Sequence, residues 1–207
     1  MFYRLQAPWR YVRRMDDYSI AIWLWDGVEE LDFAGPYEVL TAWARDSERP
    51  VTVRTVAATT DPVTCSHGLR VLPDVAWSNL SRVDLFLLPG GDTRPLQADD
   101  AFLQQMRDLA GGGALMTSVC TGALVYGKAG LLDGRPATTH WSALERLAAL
   151  GVNVDADARF VDDGDIVTAA GVSAGIDMAL HLVSRLESVE RAQAIRRYIQ
   201  YDPQPPV

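Results

Sequence analysis

The chain has 207 residues, 48% of them hydrophobic and 22% charged. This ordinary globular composition excludes wholesale disorder and suits one domain with a sizeable core. The formal net charge of -8 argues against a nucleic-acid partner, because phosphate binding asks for a basic face. No apolar run reaches the ~20 residues that a bilayer span needs. Two cysteines, Cys65 and Cys120, are too few for a secreted disulfide framework, so a reduced, cytoplasmic setting is expected.

Residues 1–17 are basic and aromatic and lack the apolar centre of a signal peptide. They read as an N-terminal arm or as an upstream mis-called start, with the domain running over 18–207. Tyr18 to Trp25 (YSIAIWLW) predicts a buried strand. Gly35-Pro36 is read as opening a helix, proline being tolerated at an early position, with Val39, Leu40 and Trp43 on one face. Val51 to Ala57 predicts a second strand, and Pro62 to Pro73 a hairpin turning at His67-Gly68. Cys65, in that hairpin, is read as accessible to thiol reagents. Val83 to Leu88 predicts a buried strand ended by Pro89-Gly90-Gly91, followed by a helix over Ala98 to Ala110. Ala114 to Val119 is a further buried strand, with Cys120 directly after it and a helix over Thr121 to Leu131. A short strand at Ala137 to Thr139 precedes His140, and Ser142 with Glu145 has the spacing of a capping box. Phe160 to Ala169 predicts a hairpin turning at Asp163-Gly164. Gly175 to Leu186 and Val189 to Tyr201 predict amphipathic helices, and the tail DPQPPV is too proline-rich for one.

Strands alternating with helices predict an α/β fold: a single-domain, flavodoxin-like sandwich, mostly parallel, with helices on both faces. Ligands in such folds bind at the carboxyl ends of the strands, and Cys120 sits at one of those ends. In SVCTGAL (Ser118 to Leu124) a buried strand feeds straight into a small-residue helix, the geometry of a nucleophile elbow. The helix N-terminus is expected to favour thiolate over thiol. The competing reading of such a cysteine is a small buried hydrophobe. Gly90 and Gly91 are expected to leave backbone N–H groups free for an oxyanion. Asp32, in EELD before the predicted helix, is expected to reach the same edge and manage protons, or simply to favour the helix N-terminus. Among the histidines, His181 reads as structural, His67 as a turn residue, and His140 as able to approach the site without establishing a Cys–His pair. No Cys/His spacing suits zinc, and no phosphate-binding glycine loop is present.

The segments GVEELDFAGPYEVL, LLPGG, SVCTGALVYGKAGLLDGRPATTHW and GVSAGIDMALHLV together resemble the ThiJ/PfpI superfamily with its class I glutamine-amidotransferase-like fold. The resemblance runs from Tyr18 to the C-terminus and is strongest toward isonitrile (isocyanide) hydratases. It implies Cys120 as nucleophile, Asp32 as the acid beside the sulfur, and Thr121 as a residue whose N–H and hydroxyl face the site. It also implies Gly90 and Gly91 at the amide-bearing strand end, and Gly171 at the pocket border. The implied activity is cofactor-independent, metal-free hydration of a small-molecule isocyanide to an N-substituted formamide through a thioimidate on Cys120, in a homodimer without nucleic-acid or membrane partners. In this scheme the attacked nitrogen collects a proton from Asp32 or from a water that it holds. PfpI-type peptidases carry histidine after the cysteine, where this chain has Thr121, which tells against peptidase activity. AraC-type regulators append a helix-turn-helix domain to the same fold, and the chain is read as ending at Val207 without one. Two alternatives accompany the hydratase: a redox- or ligand-sensing module, and a glyoxalase-like enzyme acting on 2-oxoaldehydes.

Overall fold

A computed structural model describes residues 17–80 and 82–203. The expectation for residues 1–17 therefore lies, apart from Asp17, outside the described residues, as does that for the last four residues of the tail. The elements run β1 (Tyr18–Trp23), α1 (Glu30–Asp46), β2 (Val51–Ala57), β3 (Val63–Thr64), β4 (Arg70–Val71), β5 (Val75–Ala76) and β6 (Leu85–Leu88). They continue through α2 (Arg94–Gln97), α3 (Asp100–Gly111), β7 (Leu115–Val119), α4 (Gly122–Lys128), β8 (Pro136–Ala137), α5 (Leu144–Ala148) and β9 (Asn153–Val154). The chain closes with β10 (Phe160–Asp162), β11 (Ile166–Ala169), α6 (Ala174–Leu186) and α7 (Val189–Tyr198).

The central sheet has the order β10-β11-β7-β6-β1-β2-β5. Its ladders are parallel except for the β10–β11 hairpin, so the fold is the flavodoxin-like α/β sandwich that the alternation predicts. Successive side chains of a strand point to opposite faces, and the core divides accordingly. Ile20, Ile22, Leu85, Leu87, Val119 and Val167 meet the layer of α1, α6 and α7. Ala21, Trp23, Phe86, Leu88, Met116 and Ile166 meet α3, α4 and α5. Among the described residues, no helix is long and apolar enough to cross a membrane.

Three local expectations need correction. Helix α1 begins at Glu30, and Pro36 lies inside it. Gly35 and Pro36 mark instead a close crossing with α6: a Cβ on Gly35 would come 2.8 Å from Ile176 Cγ1, and one on Gly175 would come 3.0 Å from Pro36 Cγ. Tight packing, rather than helix initiation, accounts for the pair. The Ser142/Glu145 capping box does not form. Residues Trp141–Ala143 make a 3-10 turn, and it is His140 whose side chain accepts the Ser142 N–H. Cys65 is 4% exposed, held where β3 and β4 fold under the loop after β1. Burial, with Glu30, Glu29 and Asp26 nearby, pushes its thiol up to about 11, so it is not a readily labelled residue.

Candidate active site

The carboxyl ends of β6, β7 and β11 meet at one edge, and the first turn of α1 reaches it from the layer above. Parallel pairing sets this: Leu88 lies beside Ser118, and Val119 beside Ala169. Cys120 follows β7 immediately with a φ of 57°, the left-handed region that L-residues rarely occupy. Bonds on both sides hold this conformation. The Cys120 N–H is shared by the Ala169 and Ala170 carbonyls at 3.1 and 2.9 Å, and the Thr139 hydroxyl donates to the Cys120 carbonyl at 2.6 Å. A non-glycine residue kept in such a region by its surroundings is a frequent mark of functional sites. The side chain is 7% exposed.

Asp32, the third residue of α1, is 0% exposed. Its Oδ2 accepts the Gly90 N–H at 2.8 Å. Its Oδ1 is buried without a nitrogen or oxygen partner, and the carboxyl interacts with the Cys120 thiol. Burial pushes this carboxyl up to about 7, aided by the charge of Glu29 and opposed by the bonds from Gly90 and the thiol. Burial first, then the neighbouring Asp32, pushes the Cys120 thiol up to about 12, against the lowering effect of the Thr121 and Val172 N–H groups. The expected thiolate at the helix N-terminus is thus corrected. Desolvation disfavours the charged sulfur, α4 spans only Gly122–Lys128, and the nearby carboxyl opposes a second negative charge.

The structure brings Cys120, Asp32, Thr121, Gly90 and Gly91 together, with Gly171 alongside in the loop after β11. Two roles differ from expectation. The Gly90 and Gly91 N–H groups are not free: the first donates to Asp32, the second to Thr121 Oγ1 at 3.0 Å. The Thr121 hydroxyl in turn donates to the Gly91 carbonyl at 2.9 Å, so it ties β6 to the elbow rather than facing the site. The turn after β6 therefore acts as a cradle. A Cβ on Gly90 would lie 2.7 Å from Asp32 Oδ2, Thr121 N and Thr121 Oγ1 alike, so only glycine lets the carboxyl and the elbow approach this closely. The amides that face the sulfur are those of Thr121 and Val172.

Val172 was not singled out by the sequence. It is β-branched yet has a φ of 44°, and the signal that leads to it is its place after Gly171, at the end of the strand paired with β7. Thr139 was also missed, because its partner lies 19 residues away. His140 lies against Gly171, where a Cβ would come 2.4 Å from its Cδ2. His181 is structural, as read: its Nε2 meets Asp162 Oδ2 at 2.7 Å, linking α6 to β10. His67 stands on the hairpin with Glu29 and Glu30, and the possible ligand atoms of these three lie within 4.8 Å of one another. Spacing along the chain did not reveal this group. It is already bonded internally and to Ser66, and it latches the β3–β4 hairpin to the start of α1.

A parallel α/β sheet with a cysteine on a left-handed elbow and a buried acid beside it defines a class of cysteine-centred proteins. Residues 18–185 match the DJ-1/PfpI family model, and the chain belongs to that family. It is 39% identical over 189 residues to isonitrile hydratase of Pseudomonas putida, covering 91% of this chain and 80% of that one. It is also 36% identical to the HTH-type transcriptional regulator CdhR of Pseudomonas aeruginosa, over 63% of this chain but 39% of the regulator. Among solved structures, a ThiJ/PfpI family protein from Pseudomonas syringae superposes with a TM-score of 0.84 at 32% identity, covering 100% of this chain and 84% of that one. Drosophila melanogaster DJ-1beta, at 22% identity and a TM-score of 0.81 over 90% of this chain and 99% of its own, shares the fold.

Proposed function

We propose that the protein hydrates an isocyanide to an N-substituted formamide, with Cys120 as nucleophile and Asp32 as the group that moves protons. The observation that carries this reading is the contact of one buried thiol with one buried carboxyl poised near neutrality. The similarity to isonitrile hydratase supplies the substrate class.

An isocyanide carbon accepts a nucleophile and then a proton. Ionised Asp32 takes the thiol proton as sulfur bonds to the carbon. The carbon, left with a lone pair, takes that proton back from Asp32, giving R–N=CH–S–Cys120. The first proton therefore belongs on carbon, a correction to the expectation that nitrogen collects it. Water then adds to the same carbon. Asp32 accepts one proton of this water and passes it to nitrogen, giving R–NH–CH(OH)–S–Cys120. The carbon–sulfur bond breaks, the hydroxyl proton returns to sulfur through Asp32, and R–NH–CHO leaves. One water is consumed and the enzyme is regenerated. The covalent route divides one hard step into easier ones, and a carboxyl with a pKa near the working pH is suited to both halves of each proton transfer. The Thr121 and Val172 amides lie where charge gathers on sulfur.

A sensing role is the second reading, favoured by the similarity to CdhR. Redox sensing draws on an accessible thiolate, and a thiol pushed up to about 12 and 7% exposed argues for chemistry gated by Asp32 instead. The exposed side chains of Leu31 and Tyr37 on α1 and of Leu69 and Leu72 at the hairpin support a homodimer as the working unit, which sedimentation would check. The test of function is hydration of p-nitrophenyl isocyanide by the wild type and by Cys120→Ala, with methylglyoxal as a control electrophile. Formamide from the wild type alone is expected. No turnover of the isocyanide, or turnover of methylglyoxal only, would overturn the reading.

A further inference from the structure

Away from the elbow, the latch between the hairpin and α1 gathers groups that ligate metal ions. Glu29 precedes α1 and Glu30 begins it, and His67 stands opposite them between β3 and β4. Glu30 Oε2 and Glu29 Oε1 lie 2.9 and 3.5 Å from His67 Nδ1. Taken one from each residue, the three ligand atoms lie within 4.8 Å of one another. Ligand atoms about 2.1 Å from a tetrahedral ion stand roughly 3.4 Å apart, so the cluster has the dimensions of a coordination shell.

The cluster is short of protons. Ser66 Oγ lies 2.9 Å from Glu29 Oε2, 3.0 Å from Glu30 Oε2 and 3.1 Å from His67 Nδ1, and Nδ1 itself lies 2.9 Å from Glu30 Oε2. These contacts share two protons, one on the hydroxyl and one on the ring nitrogen. The cluster is also short of positive charge. Among the described residues, His67 is the only basic side chain within ion-pair reach of either carboxylate. The two acids are only 21% and 19% exposed, so water screens their repulsion less than on open surface. Lone pairs from two carboxylates and an imidazole thus converge with fewer protons than contacts, and a divalent cation supplies what is lacking. The ligands are also held in place. Glu30 Oε1 accepts the His67 and Leu69 N–H groups at 2.8 and 3.4 Å, which turns Oε2 toward the ring. Supporting bonds of this kind orient metal ligands. An imidazole in the set favours zinc over magnesium or calcium, which take oxygen ligands.

We propose that Glu29, Glu30 and His67 bind one zinc ion through one oxygen of Glu29, Oε2 of Glu30 and Nδ1 of His67, with the Ser66 hydroxyl or a water in the fourth position. The ion replaces the proton on Nδ1, and the imidazole keeps its proton on Nε2. It fastens the β3–β4 hairpin to the start of α1 more firmly than hydrogen bonds do. Asp32, two residues on and so on the other side of the helix, points inward to Gly90. The ion is therefore structural, and the inference does not depend on the reaction proposed for Cys120.

The test is calorimetric titration of the untagged full chain, freed of metal by a chelator, with zinc chloride. His67→Ala, Glu29→Gln, Cys65→Ala and Cys120→Ala are titrated alongside, each with a far-UV spectrum to show that it is folded. The expected result is one equivalent of zinc with a micromolar Kd that persists in both cysteine variants. Losing a group that merely orients a ligand costs about 10–100-fold in metal affinity. His67→Ala, which removes a ligand outright, should therefore weaken binding by about 100-fold or more, and Glu29→Gln by about 10-fold or more. No saturable zinc binding below about 1 mM overturns the inference, as does binding that His67→Ala leaves unchanged. Loss of all binding in either cysteine variant places the ion on sulfur and overturns it equally.

Discussion

Glu30 and Asp32 are two residues apart in the first turn of one helix, yet their surroundings drive them in opposite directions. Glu30 points to the hairpin, where the His67 imidazole, the His67 N–H and the Ser66 hydroxyl bond to it. Desolvation, the largest single influence on it, is outweighed by these donors acting together, and its carboxyl falls to about 2. Asp32 points inward to one N–H and a thiol, and desolvation carries it up to about 7. Like residues on one turn thus become a surface latch and, in the proposed reaction, a proton shuttle. The difference lies in the number of donors and the access of water, not in residue type.

The largest effect expected from breaking this contrast is at the proposed nucleophile. Cys120→Ala removes covalent catalysis and should lower kcat by about 10⁴-fold or more, measured as formamide release, while the far-UV spectrum stays that of the wild type. Asp32→Asn should lower kcat by about 10²–10³-fold yet speed alkylation of Cys120 by iodoacetamide, because the charge that raises the thiol is gone. The same variant tests linkage. Asp32 is raised above its unfolded value, so its ionisation opposes folding, and wild-type stability attributable to it is lost as pH climbs from about 4 to 7. Denaturant melts should show Asp32→Asn gaining on wild type across that window, by up to about 4 kcal/mol. Gly90→Ala should cost about 1–3 kcal/mol and most of the activity, since its Cβ has no room between Asp32 and Thr121.

The smallest effect is expected at the latch. Glu30 is lowered and His67 is raised. Their pairing is therefore present above the unfolded carboxylate pKa and lost as pH falls through about 2. From the histidine side it is present below about 6.5 and lost as pH rises through the raised folded value. Glu30→Gln should cost at most about 1 kcal/mol at pH 5.5, less at pH 9, and leave kcat within about twofold. A larger change in kcat would mean that the latch and the site are not separate.

The parts of this site that were legible in the sequence are those whose cause is local. Apolar runs ending in Pro89-Gly90-Gly91 and in Cys120 mark strand ends, and a parallel sheet places such ends on one edge. What could not be read depends on distant partners. The amides of Gly90 and Gly91 look free until Asp32, 58 residues from Gly90, and Thr121, 30 residues from Gly91, are seen to bind them. Pro36 reads as a helix start because its ring breaks ladder bonds, and only the packing against Gly175 shows why the helix continues through it. The helix N-terminus after Cys120 suggested a thiolate, but burial and the carboxyl beside it outweigh a short helix.

The most direct test of the central claim is rapid-quench mass spectrometry of the wild type mixed with p-nitrophenyl isocyanide. The account predicts that the peptide holding Cys120 gains the mass of one isocyanide before the first turnover completes, and that the adduct decays at the rate at which formamide appears. Formamide released while Cys120 stays unmodified at every time point would contradict it.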